Sequence, residues 1–382
     1  MKTVYLDNAA TTPMLPEVIE VMQESMHSNF GNPSSIHQFG RKAKAAIETA
    51  RKNIAKHFNV AASEIIFTAG GTEADNLILQ NAVINLGVKR IITSQIEHHA
   101  VLHTVEYLQK NHQIFVDFVK VDQNGVIQLD DLELLLNASE EKTLVSLMYV
   151  NNEIGNLLPI AKVSEVCQKY NAYFHSDTVQ AIGHYAIDLQ KTPLDFMVAS
   201  AHKFHGPKGV GFAYVKKGIS IQPMLFGGGQ EKGARSGTEN IHAILGMEKA
   251  LRIACTEMVK DAEYITSLKK YTIKKIQEIS SEIKFNGLSG SVDKSSYTII
   301  SVRFPVADKM LLFNLDLAGI AVSGGSACQS GAHKGSHVLS CVLAKQDIGK
   351  ASVRFSFSKL TTINNIDFLI SILSNFFKKK AK

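Results

Sequence analysis

Between residues 60 and 215 the chain repeats one pattern, a short apolar run followed by a segment of helical spacing. The runs are EIIFTAG, KRIITSQ, QIFVDFVKV, TLVSLMYV, AYFHSD, FMVASAH and GVGFAYV, and TEADNLILQNAVINLG and AKVSEVCQKYN are among the helical segments. Strands alternating with helices imply an α/β fold, a mostly parallel sheet with helices on both faces. Such sheets bind ligands in the crevice beyond the carboxyl ends of their strands, so functional residues are expected just after the apolar runs.

Past residue 240 the character changes. A long Lys-rich helical stretch, a strand-like SSYTIISVRFP, a helix ADKMLLFNLDLAG, a Gly/Ser loop VSGGSACQSGAHKGS, a strand ASVRFSFS and a last helix read as a smaller α+β domain. We expect a large domain over 15–255 and a small one built from 1–14 and 256–382. The formal net charge of +6 comes from basic residues spread along the chain, which speaks against direct nucleic-acid binding. The exception is the terminal FFKKKAK, a solvated end or a contact for an acidic partner. No segment is apolar for long enough to span a bilayer. The four cysteines stand far apart without CxxC spacing, so we expect neither disulfides nor a metal site, and a cytoplasmic protein.

Several strand ends carry residues suited to chemistry. SAHKFHGPKG places Lys203 in a tight link between two buried strands, where it is either a turn lysine reaching water or a partly desolvated, nucleophilic amine. TAGGTEADN is glycine-rich and opens a helix at Thr72, which suits a phosphate, although by itself it reads first as a plain strand-to-helix turn. HSDTVQ puts Asp177 at a strand end, as a helix cap or as the partner of a heterocycle's ring nitrogen. In IEHHA one usable histidine is expected, lying over a flat cofactor, moving protons or simply structural. Arg354 in VRFSF is a surface residue or a bidentate partner for a carboxylate. Cys328 sits in a loop of small residues that suits a travelling thiolate, whereas Cys167 and Cys255 lie in helical patterns and are expected to serve packing. A phosphate cradle, a carboxylate for a ring nitrogen, a stacking histidine and a lysine amine together ask for pyridoxal 5′-phosphate.

With these motifs the sequence resembles the fold-type I, class V aminotransferase superfamily and, more closely, the NifS/IscS-type cysteine desulfurases. The resemblance rests on YLDNAATTP, GNPSSIH, TAGGTEADN, EHHAV, YVNNEIG, HSDTVQAIG, SAHKFHGPKGVG, GGGQEKGARSGTEN, SGGSACQSG and VRFSF, all in the expected order. It implies that Lys203 holds the cofactor as a Schiff base, that Asp177 pairs with the pyridinium nitrogen, and that His98 stacks on the ring and shuttles protons. Gln180 would bond the phenolic oxygen. Gly71, Thr72, Ser200 and His202 would surround the phosphate, and Thr238 would reach it from the neighbouring subunit of a homodimer. Asn152 and Arg354 would fix the carboxylate of L-cysteine, with Asn152 also beside the cofactor. The Cys328 thiolate would take the sulfur as a persulfide, release alanine and pass the sulfur to an acceptor protein, an iron–sulfur scaffold or a tRNA-thiolation relay.

The sequence departs from the resembled pattern at Gly324 and Gln329, where a serine and a small hydroxyl residue are expected. A selenocysteine lyase would use the same apparatus. An aminotransferase or a kynureninase-like hydrolase would keep Lys203 and Asp177 but have no use for Cys328. A non-catalytic cofactor-binding scaffold should lack some reacting groups, and none is missing.

Overall fold

The computed structural model describes residues 3–308, 310–324 and 335–380, with side chains through 377. The chain opens with strand β1 (Val4–Tyr5) and helices α1 (Pro16–Ser28) and α2 (Gln38–His57). The apolar runs then form β2 (Ile65–Thr68), β3 (Arg90–Thr93), β4 (Phe115–Phe118), β5 (Thr143–Ser146), β6 (Tyr173–Asp177), β7 (Phe196–Ser200) and β8 (Gly211–Val215). All seven join one sheet, in the order β2-β8-β7-β6-β5-β3-β4. Between them lie α3 (Gly71–Ile84), α4 (His99–His112), α5 (Leu129–Asn137) and α6 (Ile160–Lys169).

Four pairings in the sheet are parallel, and β8 runs antiparallel to both β7 and β2. The reason lies in the link at 201–210. A parallel crossover needs a dozen or more residues, and this link is too short for one, so the chain must turn back on itself. That forced turn is where Lys203 stands.

Alternation along the strands assigns the two faces. On β7, Met197 and Ala199 enter one core with α2, α6 and the first part of α7 (Ile241–Ile279), whereas Phe196 and Val198 enter a second core under α3 and α4. Helices therefore cover both faces of the sheet. Helix α7 continues unbroken through residue 255. Its Ile244, Met247 and Leu251 belong to the first of these cores, and its Ile265, Leu268 and Ile276 to a third, separate one. The third core is completed by β9 (Lys284–Phe285), β10 (Ile299–Arg303), α8 (Leu311–Leu317), β11 (Ile320–Ala321), α9 (His337–Val342), β12 (Ser352–Ser356) and α10 (Ile363–Lys380), apart from α9, which packs on Ile96 and Ile154.

The N-terminal segment ties these parts together. Strand β1 pairs with β11, and the Asn8 amide donates to the Ser356 carbonyl at 2.8 Å. A few residues on, Thr12 Oγ1 donates to the His202 carbonyl at 2.9 Å and accepts the His205 N–H at 2.7 Å. The turn that carries Lys203 is thus held from outside its own sheet.

Lys269 on α7 is 0 % exposed, and its amine donates to Ser295 Oγ and the Ser296 carbonyl, each at 2.7 Å. Burial lowers its pKa from 10.5 to about 7. The unfolded chain keeps this proton up to its higher pKa, so the penalty is complete below pH of about 7 and is relieved as pH rises toward the unfolded value. Lys269→Met should therefore raise the urea midpoint at neutral pH. It should also remove part of the rise in stability expected of the native chain between pH of about 7 and about 9. Parallel pH profiles for the two proteins would show that the amine stays charged in the fold.

Candidate active site

A cleft of about 200 Å³ opens at the carboxyl ends of the parallel strands, and the sequence motifs converge there. Gly71 and Thr72 line it from the start of α3, and His98 from the start of α4. Asp177 and Gln180 line it from the end of β6, Ser200, His202 and Lys203 from the link after β7, and Asn152 and Arg354 close it. Ala10, Asp75, Met148 and Val179 complete the lining, and none of these was foreseen from the sequence.

Thr238 is exposed and does not line the cleft of its own chain, and Cys328 lies outside the described residues. Of the other cysteines, Cys167 is buried in the first core and Cys255 packs at its edge, with burial raising the thiol pKa of each. Cys341, on α9, donates to Gln95 Oε1 at 3.6 Å. Gly324 stands where the resembled pattern has serine, and a Cβ there would come within 2.6 Å of Leu312 Cδ1.

The adjacent histidines separate as the helix start dictates. His98 is the N-cap of α4, where its Nδ1 accepts the Ala100 N–H at 3.1 Å. His99 turns away and lies against His103 and His337, at ring distances of 4.8 and 4.4 Å. Burial lowers the His98 pKa; Asp177 opposes the shift, and Lys203, His337 and His103 add to it.

Lys203 Nζ donates to the Ala9 carbonyl at 2.7 Å and the Ala10 carbonyl at 2.9 Å. Gln180 Nε2 also donates to Ala9 O, at 2.8 Å. The N-terminal segment therefore forms one wall of the site. Arg354, 2 % exposed, donates from Nη1 to the Asn152 carbonyl at 2.7 Å and from Nη2 to Asp7 Oδ1 at 2.8 Å. Its Nε has no hydrogen-bond partner among the described residues. Asp7 was also not foreseen from the sequence; nothing in YLDNAATTP announces an ion pair with a residue on the last strand.

The carboxyls at the floor of the cleft are buried. Asp177 Oδ1 accepts the Val179 N–H at 2.9 Å. Burial raises its pKa, while His98, the Val179 N–H and Lys203 pull it back down. Glu97 is pushed up to about 8 by burial, against hydrogen bonds from Ser94 Oγ at 2.6 Å and the Met148 N–H at 2.8 Å. His202 is lowered to about 4 by burial and by Lys203 and Lys208, so it is neutral and works as a hydrogen-bonding group. Among the described residues no cluster of His, Cys, Asp or Glu is arranged to hold a metal ion, and no helix is long and apolar enough to cross a membrane.

This cleft fits pyridoxal 5′-phosphate. The start of α3 offers free N–H groups beside Ser200 and His202, at a backbone that admits little bulk: a Cβ on Gly71 would stand 2.7 Å from Val179 Cγ2. Asp177 and Lys203 line the same cleft, a buried carboxyl suited to a ring nitrogen and an amine suited to a Schiff base.

Comparison with known proteins agrees with this geometry. The Aminotransferase class-V family model matches residues 4–369. The chain is 40% identical to a cysteine desulfurase IscS of Dictyoglomus turgidum, over 99% of this chain and 95% of that protein. It is also 40% identical to a putative cysteine desulfurase IscS 1 of Bacillus subtilis, over 96% of each. Among solved structures, a NifS-like protein superposes with a TM-score of 0.90 at 35% identity, covering 99% of this chain and 100% of the other. A NifS-like protein from Rickettsia africae gives 0.89 at 33% identity, again over 99% of this chain and 100% of its own. With Asp177, the start of α3 and Lys203 meeting in one cleft, the chain belongs to the class V aminotransferases and, within them, to the pyridoxal phosphate-dependent cysteine desulfurases of IscS type.

Proposed function

We propose that this protein converts L-cysteine to L-alanine and carries the sulfur away as a persulfide on Cys328. The observation that carries the reading is the convergence of Lys203, Asp177, His98 and Arg354 on one cleft. When bound there, pyridoxal phosphate supplies an electron sink that makes the substrate Cα–H acidic and weakens its Cβ–S bond.

The chain's own residues do the rest. Thr72, Ser200, neutral His202 and the N–H groups at the start of α3 hold the phosphate. Asp177 would keep a proton on the ring nitrogen, Gln180 would bond the phenolic oxygen and His98 would stack on the ring. Lys203 would be the attachment point and, once its amine is free, the base that moves the Cα proton. Nη1 and Nη2 of Arg354 each donate one N–H, to the Asn152 carbonyl and to Asp7 Oδ1, which fixes the guanidinium plane and leaves the second N–H of each for the substrate carboxylate. The Cys328 thiolate forms an S–S bond to the substrate sulfur as the Cβ–S bond breaks, and protonation of the carbon left behind gives alanine.

The same reading assigns residues 15–255 to the cofactor-binding domain, with 1–14 and 256–382 forming the smaller domain that carries Cys328. Support comes from α7, whose two halves bury their apolar residues in different cores. It makes the protein a cytoplasmic homodimer in which Thr238 of each chain serves the other's phosphate site; the exposure of Thr238 is in keeping with this. The acceptor is a protein, an iron–sulfur scaffold or a tRNA-thiolation relay.

The test is alanine release from L-cysteine with a thiol reductant present. The wild-type protein should release alanine and Cys328→Ala should nearly cease to. Equal release by both would remove Cys328 as sulfur acceptor.

A further inference from the structure

A third buried carboxyl, Asp75, lines the cleft, and the reaction as described does not use it. It projects from α3 and is 1 % exposed. Its Oδ1 faces Nε2 of His175, itself 0 % exposed, at 3.4 Å. Neither atom has a hydrogen-bond partner among the described residues, so each is left facing the other. On the far side of the ring, His175 Nδ1 meets Ser146 Oγ at 2.9 Å. His175 and Asp177 are two residues apart on β6 and so share a face of the sheet.

Two polar atoms that meet only each other require one proton between them, and two placements are available. In one, Asp75 is ionised, Nε2–H donates to it and the serine hydroxyl donates to Nδ1. In the other, Asp75 is a carboxylic acid donating O–H to Nε2, and Nδ1–H donates to Ser146. The first places a second negative charge close to Asp177 in a region that excludes water, at a steep cost. The second buries no charge.

We propose that Asp75 is a neutral carboxylic acid donating its proton to His175, which leaves Asp177 as the ionised partner of the cofactor's ring nitrogen. Asp75 and His175 are positioning residues: they fill the space behind Asp177 with satisfied dipoles instead of a competing charge. Burial, then the charges of Asp177 and Glu97, hold the Asp75 pKa well above the ordinary carboxylate value. Burial lowers His175 to about 3, so the imidazole is neutral in either placement. The charged and titratable groups that bear on Asp177 are His98 and Lys203 on the cleft side and Asp75 and Glu97 beside it. The inference rests on Asp177 as the ring-nitrogen partner.

Two measurements test it. Nitrogen-15 NMR of histidine-labelled holoenzyme, with the resonance assigned through His175→Gln, should show the Nδ1–H tautomer of His175. The Nε2–H tautomer would overturn the proposal. Infrared difference spectra between wild type and Asp75→Asn should show loss of a protonated carboxyl band, and loss of carboxylate bands would overturn it. In the holoenzyme, Asp75→Asn, which stays neutral and can donate N–H to Nε2, should leave the pH midpoint of the bound cofactor's absorbance unchanged. Asp75→Leu should move it, because His175 loses its donor. A shift of about one unit in the asparagine variant would mean that an ionised Asp75 had been removed. If wild type takes up no pyridoxal phosphate, the reading of Asp177 fails, while the NMR and infrared results on the cofactor-free protein still decide where the Asp75 proton lies.

Discussion

Lys203→Ala is expected to slow alanine release from L-cysteine by at least about 10²- to 10⁴-fold, the contribution typical of one positioned proton-transfer group. The proposed reaction puts cofactor attachment and proton transfer on the same amine, so the loss should lie at the upper end. The fold should survive. Lys203 is half-buried in a short 3₁₀ turn, and its hydrogen bonds go to two carbonyls, Ala9 O and Ala10 O, that can accept from water in its absence. Arginine should not rescue, because its guanidinium stays protonated. Alanine quantitation gives the rate, and the absorbance of bound cofactor shows whether attachment has been lost. Activity within a few-fold of wild type would remove Lys203 from the chemistry, since no other lysine among the described residues lines the cleft.

The largest stability effect is expected far from the chemistry, at Arg51. Its Nη1 donates to Glu231 Oε2 at 2.6 Å and to the Ile65 carbonyl at 2.9 Å, and its Nη2 donates to Glu231 Oε1 at 2.8 Å. Glu231 Oε2 also accepts the Phe67 N–H at 2.9 Å. The two side chains are only 4% and 2% exposed. Strand β2 is an edge of the main sheet, and this pair satisfies its outward-facing carbonyl and amide while tying it to the Gly-rich segment before Thr238. Arg51→Met leaves Glu231 buried without its partner, which costs about 3–5 kcal/mol. That is a large share of the ~5–15 kcal/mol by which a folded chain exceeds its unfolded state. Urea unfolding followed by circular dichroism should show it. Arg51→Met/Glu231→Gln should recover much of the loss, because the amide is neutral and its oxygen still accepts from Phe67. A single variant within about 1 kcal/mol of wild type would mean that water reaches the pair.

What the sequence showed by itself was everything carried by local pattern. Apolar runs of strand length, separated by helical spacing, specify a sheet covered on both faces. Phe196 to Ser200 does so by pointing alternate residues into two cores. Because ligands gather at the carboxyl ends of such strands, Asp177 and Lys203 could be marked from their place at the ends of the runs. Even the reversal of β8 was implicit in the short link after β7, since ten residues cannot make a parallel crossover.

Tertiary structure decided what depends on residues far apart in the chain. Lys203 is held by Ala9 and Ala10, and Arg354 by Asp7, across separations of more than 190 and 340 residues. Backbone carbonyls carry no sequence signature, and an aspartate on an N-terminal strand looks like any surface acid until the last strand is laid beside it. Asp75 was hidden for the same reason. Inside a helical pattern it reads as a solvent-facing residue, and only the stacking of α3 over β6 buries it against His175. Local spacing fixes which face a side chain is on; what waits across that face is set by packing, and there the protonation states of this site are settled.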